Sequence, residues 1–255
     1  MIEIQELSKK FGEFAAVDNL NLSVRSGEVF GFLGPNGAGK TTTIKMATGL
    51  LKPDRGRVLI DGIDMSQEPE RAKARLGYVP DRPELFPYLS ARETLQLSGG
   101  LYGLKAADAA ARGLELLKAF GLEDWLDERV GNFSHGMKQK LILCAALLHR
   151  PAVLILDEPM VGLDPKGGRQ VKELLRLLAD EGMTVFISIH TLEIAEKLCD
   201  RLGILLNGRL LALGSVDEIH AFAGGERGAL EDAFLKLTGE GEALGLEEIL
   251  KQVRS

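Results

Sequence analysis

The chain has 255 residues, 45% of them hydrophobic and 27% charged, with a formal net charge of −6. These are the proportions of a globular protein long enough for one large domain with an attached subdomain. The negative balance gives no general reason to expect nucleic-acid binding, and no run approaches the ~18 apolar residues of a membrane helix, so any span would have to come from another chain.

The N-terminal "MIEIQELSKKFGEF" carries acidic residues early and lacks the apolar segment of a secretory signal. Short apolar runs at 28–34, 57–62, 76–80, 152–157, 184–189, 202–206 and 209–214 read as strands separated by helical stretches. That alternation predicts an α/β protein with a mainly parallel sheet. Asn207-Gly208 supplies hairpin chemistry between the last two strands.

After the first of these runs comes "GPNGAGKT", followed by the helical "TTTIKMATGLL". This is G-x-x-x-x-G-K-[ST] between a strand and a helix, the setting a phosphate-binding loop requires. Gly34, Gly37 and Gly39, with Pro35, Asn36 and Ala38 between them, let the backbone wrap a polyphosphate with its N–H groups turned inward. The helix N-terminus at Thr41 and Thr42 adds its positive dipole end. Lys40 suits the β- and γ-phosphates, and the Thr41 hydroxyl suits Mg²⁺.

Residues 90–149 hold helical patterns at 91–103, 106–120 and 137–149 with no convincing strand between them, and read as a helical insertion. Cys144 lies in the last of these and Cys199 in another helical stretch; their spacing suits neither a metal site nor a disulfide framework, so they read as buried thiols. The run "AVLILDEP" then brings Asp157 and Glu158 to the end of a buried strand, the edge where open α/β sheets bind ligands. Asp157 suits Mg²⁺, held through water, and Glu158 suits a general base acting on the attacking water. His190 ends "TVFISIH" at the same edge, where a neutral imidazole would donate to the γ-phosphate. His149 and His220 read as surface residues. From about 223 onward, "AGGERG" breaks the chain before the helical "ALEDAFLKLTG" and "LEEILKQVR".

The order of these motifs, with "FSHGMKQKLILCAALLHRPAVLILDEP" leading into the Asp-Glu strand, resembles the nucleotide-binding subunit of an ATP-binding cassette (ABC) transporter. The resemblance implies a P-loop NTPase (RecA-like) core, an N-terminal antiparallel β region and an inserted helical subdomain at about 82–150. The cassette would span 1–222, followed by a C-terminal helical extension over 223–255. Two stretches compete for the family's signature: "LSGG" at 97–100 and "FSHGM" at 133–137. The family places its signature immediately before the helix that leads into the Asp-Glu strand, which selects 133–137. A helix would also pay about 1 kcal/mol for each glycine of 97–100.

The resemblance further implies a head-to-tail dimer, expected to be of two copies of this chain. Ser134 and Gly136 of one subunit would face the γ-phosphate of ATP held by the other. It assigns Phe11 to adenine stacking, with Phe14 as a rival. Asp81 falls where the family usually has Gln, in the loop that senses the γ-phosphate, meets the membrane subunit and would approach the metal. Asp164 is the acid of "VGLD", which crosses the dimer interface. His135 and Met137 replace a glycine and a glutamine of the usual signature. The expected cofactors are ATP and Mg²⁺, and the expected partner is an integral membrane permease at the inner face of the membrane.

"FSHGMKQKL", "GKTTTIKMATGLLKPDRGRV", "LFPYLSARETL" and "ALEDAFLKLTGE" are similar to type-2 bacterial exporters. An importer subunit, a soluble relative without a membrane partner and a nucleotide switch without turnover are the rival readings.

Overall fold

The structure, a computed structural model, describes residues 1–222, without the side chains of His220 and Phe222. Its frame is two sheets. The first is antiparallel, in the order β2-β1-β4-β5, from β1 (Ile2–Phe11), β2 (Phe14–Val24), β4 (Arg55–Ile60) and β5 (Ile63–Asp64). The second runs β10-β9-β3-β8-β7-β6, from β3 (Val29–Leu33), β6 (Leu76–Val79), β7 (Val153–Asp157), β8 (Thr184–Ile189), β9 (Arg201–Leu206) and β10 (Arg209–Gly214). The pairings β9-β3-β8-β7-β6 are all parallel; only β10 is antiparallel to its neighbour.

The apolar run at 57–62 therefore belongs to the N-terminal antiparallel sheet, paired with β1, and not to the parallel one. The described helices are α1 (Lys40–Ala47), α2 (Pro69–Ala74), α3 (Ala91–Leu101), α4 (Ala106–Ala119), α5 (His135–Leu147), α6 (Pro165–Asp180), α7 (Leu192–Leu198) and α8 (Val216–Phe222). None is long and apolar enough to cross a membrane.

The continuous apolar strands of the main sheet follow from burial on both faces. Alternate residues of β3, β7 and β8 enter two different cores. Phe30, Phe32, Val153, Ile155 and Phe186 pack with Leu7, Leu20 and Ile44, toward α1 and the antiparallel sheet. Val29, Leu33, Leu154, Leu156, Val185 and Ile187 pack with Leu141, Leu143 and Leu175 of α5 and α6. Central strands held from both sides carry their C-terminal ends to one edge at fixed heights.

Between β6 and β7 the chain forms α3, α4 and α5. Ser90 caps α3 by accepting from the Glu93 N–H at 3.2 Å, while Glu93 accepts from the Ser90 N–H at 2.8 Å. The "LSGG" stretch is the last turn of α3. Gly99 is there for packing: a Cβ on it would lie 2.6 Å from the Ala109 Cβ of α4. Gly100 faces open space.

His149, expected at the surface, is half-buried. Its ring stacks on Tyr102 with centroids 3.6 Å apart, and its Nε2 lies 3.1 Å from the Leu76 carbonyl. An aromatic face in contact and a backbone acceptor together draw the imidazole under the end of α3. Both cysteines are buried, and burial raises their thiol pKa values. Residues 223–255 lie outside the described residues, as does the side chain of His220; with them goes the tail's expected short amphipathic helix, on which Glu231, Phe234 and Leu235 would pack against the core or the partner.

Candidate active site

The turn between β3 and α1 is built by sequence-local geometry. Gly37 and Gly39 adopt φ of 81° and 107°, the left-handed region that a side chain disfavours. Gly39 also passes so close to the Ala16 carbonyl that a Cβ would collide with it. Lys40, only 6% exposed, donates from Nζ to the carbonyls of Gly34 at 2.6 Å and Pro35 at 3.1 Å. Burial holds its pKa below the usual lysine value, opposed by the charges of Glu158 and Asp157. A partly desolvated ammonium at a glycine-rich turn before a helix N-terminus is suited to a polyanion.

The cleft in front of this loop has a volume of about 250 Å³ and is bordered by Phe11, Phe14, Asn36, Lys40, Thr41 and Glu158 among others. Phe11 and Phe14 are paired across the β1–β2 hairpin and are 52% and 60% exposed. Both aromatic candidates therefore reach the mouth of the same cleft.

β7 delivers the two acids. Asp157 is 1% exposed and sits in register with Ser188 of β8. The Ser188 hydroxyl donates to Asp157 Oδ1, whereas Asp157 Oδ2 is buried with no partner. Burial pushes the Asp157 carboxyl pKa up; Ser188 and Thr41 pull it down, and the charges of Asp81 and Glu158 push it up further. Glu158 follows at φ 49°, left-handed though not a glycine. Its N–H donates to Ser188 Oγ at 3.0 Å, and its Oε2 lies 3.2 Å from His190 Nδ1. A strand that turns sharply at its end aims Glu158 toward the phosphate loop and leaves Asp157 behind it.

Asp81 lies two residues beyond β6, the edge strand next to β7, exposed and accepting from the Arg82 N–H at 2.8 Å. Its charge is felt at Asp157 and at Tyr78, whose hydroxyl pKa is pushed up to about 12, chiefly by burial.

Ser134, Gly136 and Asp164 form a second group. Ser134 caps α5 by accepting from the Met137 N–H at 3.3 Å. Asp164 caps α6 by accepting from the Gly167 N–H at 3.0 Å. The two caps adjoin, since His135 packs over Gly162 and Gly136 lies against Gly162 and Leu163. None of 133–137 borders the phosphate-loop cleft of its own chain. Met137 packs on the main core, a thioether on apolar side chains instead of an amide at the surface.

One residue at the centre of the site escaped the sequence reading. Ser188 touches both acids; the available signal was a hydroxyl interrupting the apolar strand "TVFISI" two residues before His190.

Comparison with known proteins agrees with this arrangement. Residues 17–161 match the family model described as ABC transporter. The linearmycin resistance ATP-binding protein LnrL of Bacillus subtilis is 38% identical over 94% of this chain and 76% of its own length. The Nod factor export ATP-binding protein I of Burkholderia lata is 42% identical over 84% of this chain and 70% of its own. The post-hydrolysis dimer of the ATP-binding cassette MJ0796, bound to ADP and Pi, is 29% identical with a TM-score of 0.78, covering 84% of this chain and 98% of that one. The chain belongs to the ABC transporter family as an ATP-binding subunit with ATPase activity.

Proposed function

We propose that this subunit drives export through a separate membrane permease by closing in pairs over ATP and opening on hydrolysis. The observation that carries the reading is the convergence of Lys40, Thr41, Glu158 and the Phe11–Phe14 hairpin on one cleft, with Asp157 Oδ2 buried and unpartnered behind it.

The donors fit Mg²⁺, which prefers one or two carboxylates and substrate phosphates to an all-protein cage. Thr41 and Asp157 would hold it together with Asp81, whose charge is felt at Asp157. When bound, the ion supplies charge neutralisation on the β- and γ-phosphates. Lys40 binds those phosphates, the backbone of 34–42 cradles them, and Phe11 or Phe14 stacks on the base. Glu158 orients the attacking water and takes its proton, while His190 steadies the γ-phosphate side of the cleft.

Ser134, Gly136 and Asp164 stand outside their own chain's cleft, which supports their meeting the nucleotide of a second copy. In a two-fold arrangement one sequence then makes two composite sites. Export follows from likeness to relatives named for resistance and Nod factor export. A permease partner is further supported by an apolar groove of about 300 Å³ between the loop after Asp81 and α3. Phe86 and Leu101 on its border are 62% and 80% exposed, an open apolar surface of the kind that binds protein. Docked there, the subunit would lie on the cytoplasmic face of the membrane.

The reading is tested by small-angle scattering of the Glu158→Gln variant with Mg-ATP. The expected result is a compact dimer that reverts to protomers in ADP. Protomers in both nucleotides would overturn the composite site.

A further inference from the structure

Ser188 occupies an unusual place for a hydroxyl. All six residues of β8 are buried, and Ser188 itself is 0% exposed. Its Cα is in parallel register with that of Asp157. It donates to Asp157 Oδ1 and accepts from the Glu158 N–H at 3.0 Å. A serine hydroxyl has one hydrogen and two lone pairs, so both bonds are made at once only in this sense. The first fixes which carboxylate oxygen of Asp157 is taken, leaving Oδ2 without a partner. The second holds the N–H of a residue at φ 49°. For a side chain larger than glycine, that conformation persists only where its surroundings enforce it.

We propose that Ser188 is a positioning residue of the hydrolytic step. Its single hydroxyl orients Asp157 toward the metal position and holds the strand-end turn that aims Glu158 at His190 and the phosphate cleft. Ser188 does not border the cleft in front of the loop; it acts through the two acids. The inference rests on the roles proposed above for Asp157 and Glu158.

The test compares the full-length protein with Ser188→Ala, Ser188→Thr and Ser188→Val. Threonine keeps the hydroxyl, and valine has threonine's shape without it. Steady-state phosphate release gives kcat and KM for ATP. Electron paramagnetic resonance titration of Mn²⁺ with ATP present reads the metal position without turnover.

Ser188→Ala and Ser188→Val are expected to lose about tenfold to a hundredfold in kcat, with KM for ATP nearly unchanged and Mn²⁺ bound more weakly. Ser188→Thr is expected to recover most of both. Wild-type kcat in Ser188→Ala overturns the proposal, and so does equal impairment of the threonine and valine variants, which marks a packing role. Glu158→Gln measured in parallel separates the two layers. If it keeps turnover, the base assignment fails. If it loses turnover while Ser188→Ala does not, only the role of Ser188 is lost.

Discussion

Glu158 Oε2 lies 3.2 Å from His190 Nδ1, and this contact constrains what the histidine can do. A carboxylate only accepts, so the contact is a hydrogen bond when Nδ1 carries the proton. In the neutral ring Nε2 is then an acceptor and cannot donate to a phosphate oxygen. Donation to the γ-phosphate requires either a second ring proton or release of the ring from Glu158 when nucleotide arrives. The neutral pair as it stands therefore offers no donor to the γ-phosphate.

Removing either partner should slow turnover while leaving the nucleotide cradle intact. Loss of a general base typically costs about 10²–10⁴ in rate, and Glu158→Gln is expected within that range. His190→Ala should fall by at least about tenfold, and His190→Gln, whose amide can still donate, should fall by less. Phosphate release checks turnover, and titration with a fluorescent ATP analogue checks binding. Wild-type turnover in Glu158→Gln would remove it from its role; His190→Ala turning over as wild type would do the same for His190.

Lys40 tests the other half of the cleft. Its ammonium is nearly buried and is held by two carbonyls of its own loop, so it is already turned inward when phosphates arrive. Truncating a buried, hydrogen-bonded charge costs roughly 2–5 kcal/mol of binding, or about 30-fold and upward in Kd. Lys40→Ala is expected to weaken the ATP analogue by that much. An unchanged Kd contradicts the phosphate-loop reading.

Much of this was legible in the chain because the informative features are local. A phosphate loop is made by consecutive residues, and a buried strand ending in Asp-Glu declares itself by its apolar run. What remained illegible depends on neighbours distant in sequence. Ser188 acquires meaning only when β8 aligns it with Asp157, 31 positions away. His149 looked like a polar residue at a helix end; Tyr102 and the Leu76 carbonyl, brought together by tertiary packing, draw it inward. The strand at 57–62 was recognised as a strand, yet apolar pattern alone does not say which of two sheets it joins. Ser134 and Asp164 are helix caps within one chain and Gly136 lies in the first turn of α5; their proposed use needs a second chain.

The glycines of the misleading "LSGG" stretch give paired expectations of opposite sign. Gly99 lets α3 and α4 approach, and a Cβ there would lie 2.6 Å from the Ala109 Cβ and 3.2 Å from the Leu148 side chain. Gly99→Ala should therefore destabilise, by about 1–3 kcal/mol as overpacking does. Gly100 lies on the same helix with nothing near it, so Gly100→Ala should stabilise by roughly 0.5–1 kcal/mol through helix propensity. Denaturant midpoints of both variants check the pair. If Gly99→Ala stabilises as much as Gly100→Ala, the close contact between α3 and α4 is not what the glycine serves.

His149 makes stability depend on pH in a definite direction. Burial lowers its pKa from 6.5, only partly offset by the hydrogen bond to the Leu76 carbonyl, and its Nδ1 has no partner. A second proton would be carried by a half-buried ring stacked on Tyr102. The folded state therefore holds this proton more weakly than the unfolded state does. Between the two pKa values the unfolded chain binds more protons, so stability rises with pH there. The contribution is complete above the unfolded value of 6.5 and is lost as pH falls below it. Thermal unfolding of the nucleotide-free protein at pH 7.5 and pH 5.5 should show a larger drop in Tm for wild type than for His149→Gln, whose amide does not titrate. Because His149 and Tyr102 tie the end of α3 to the start of β6, hydrogen exchange at pH 5.5 should quicken in α3 before it does in β3 or β8. Equal drops in Tm for the two proteins would mean that other groups set the acid sensitivity and that this stacked pair contributes none of it.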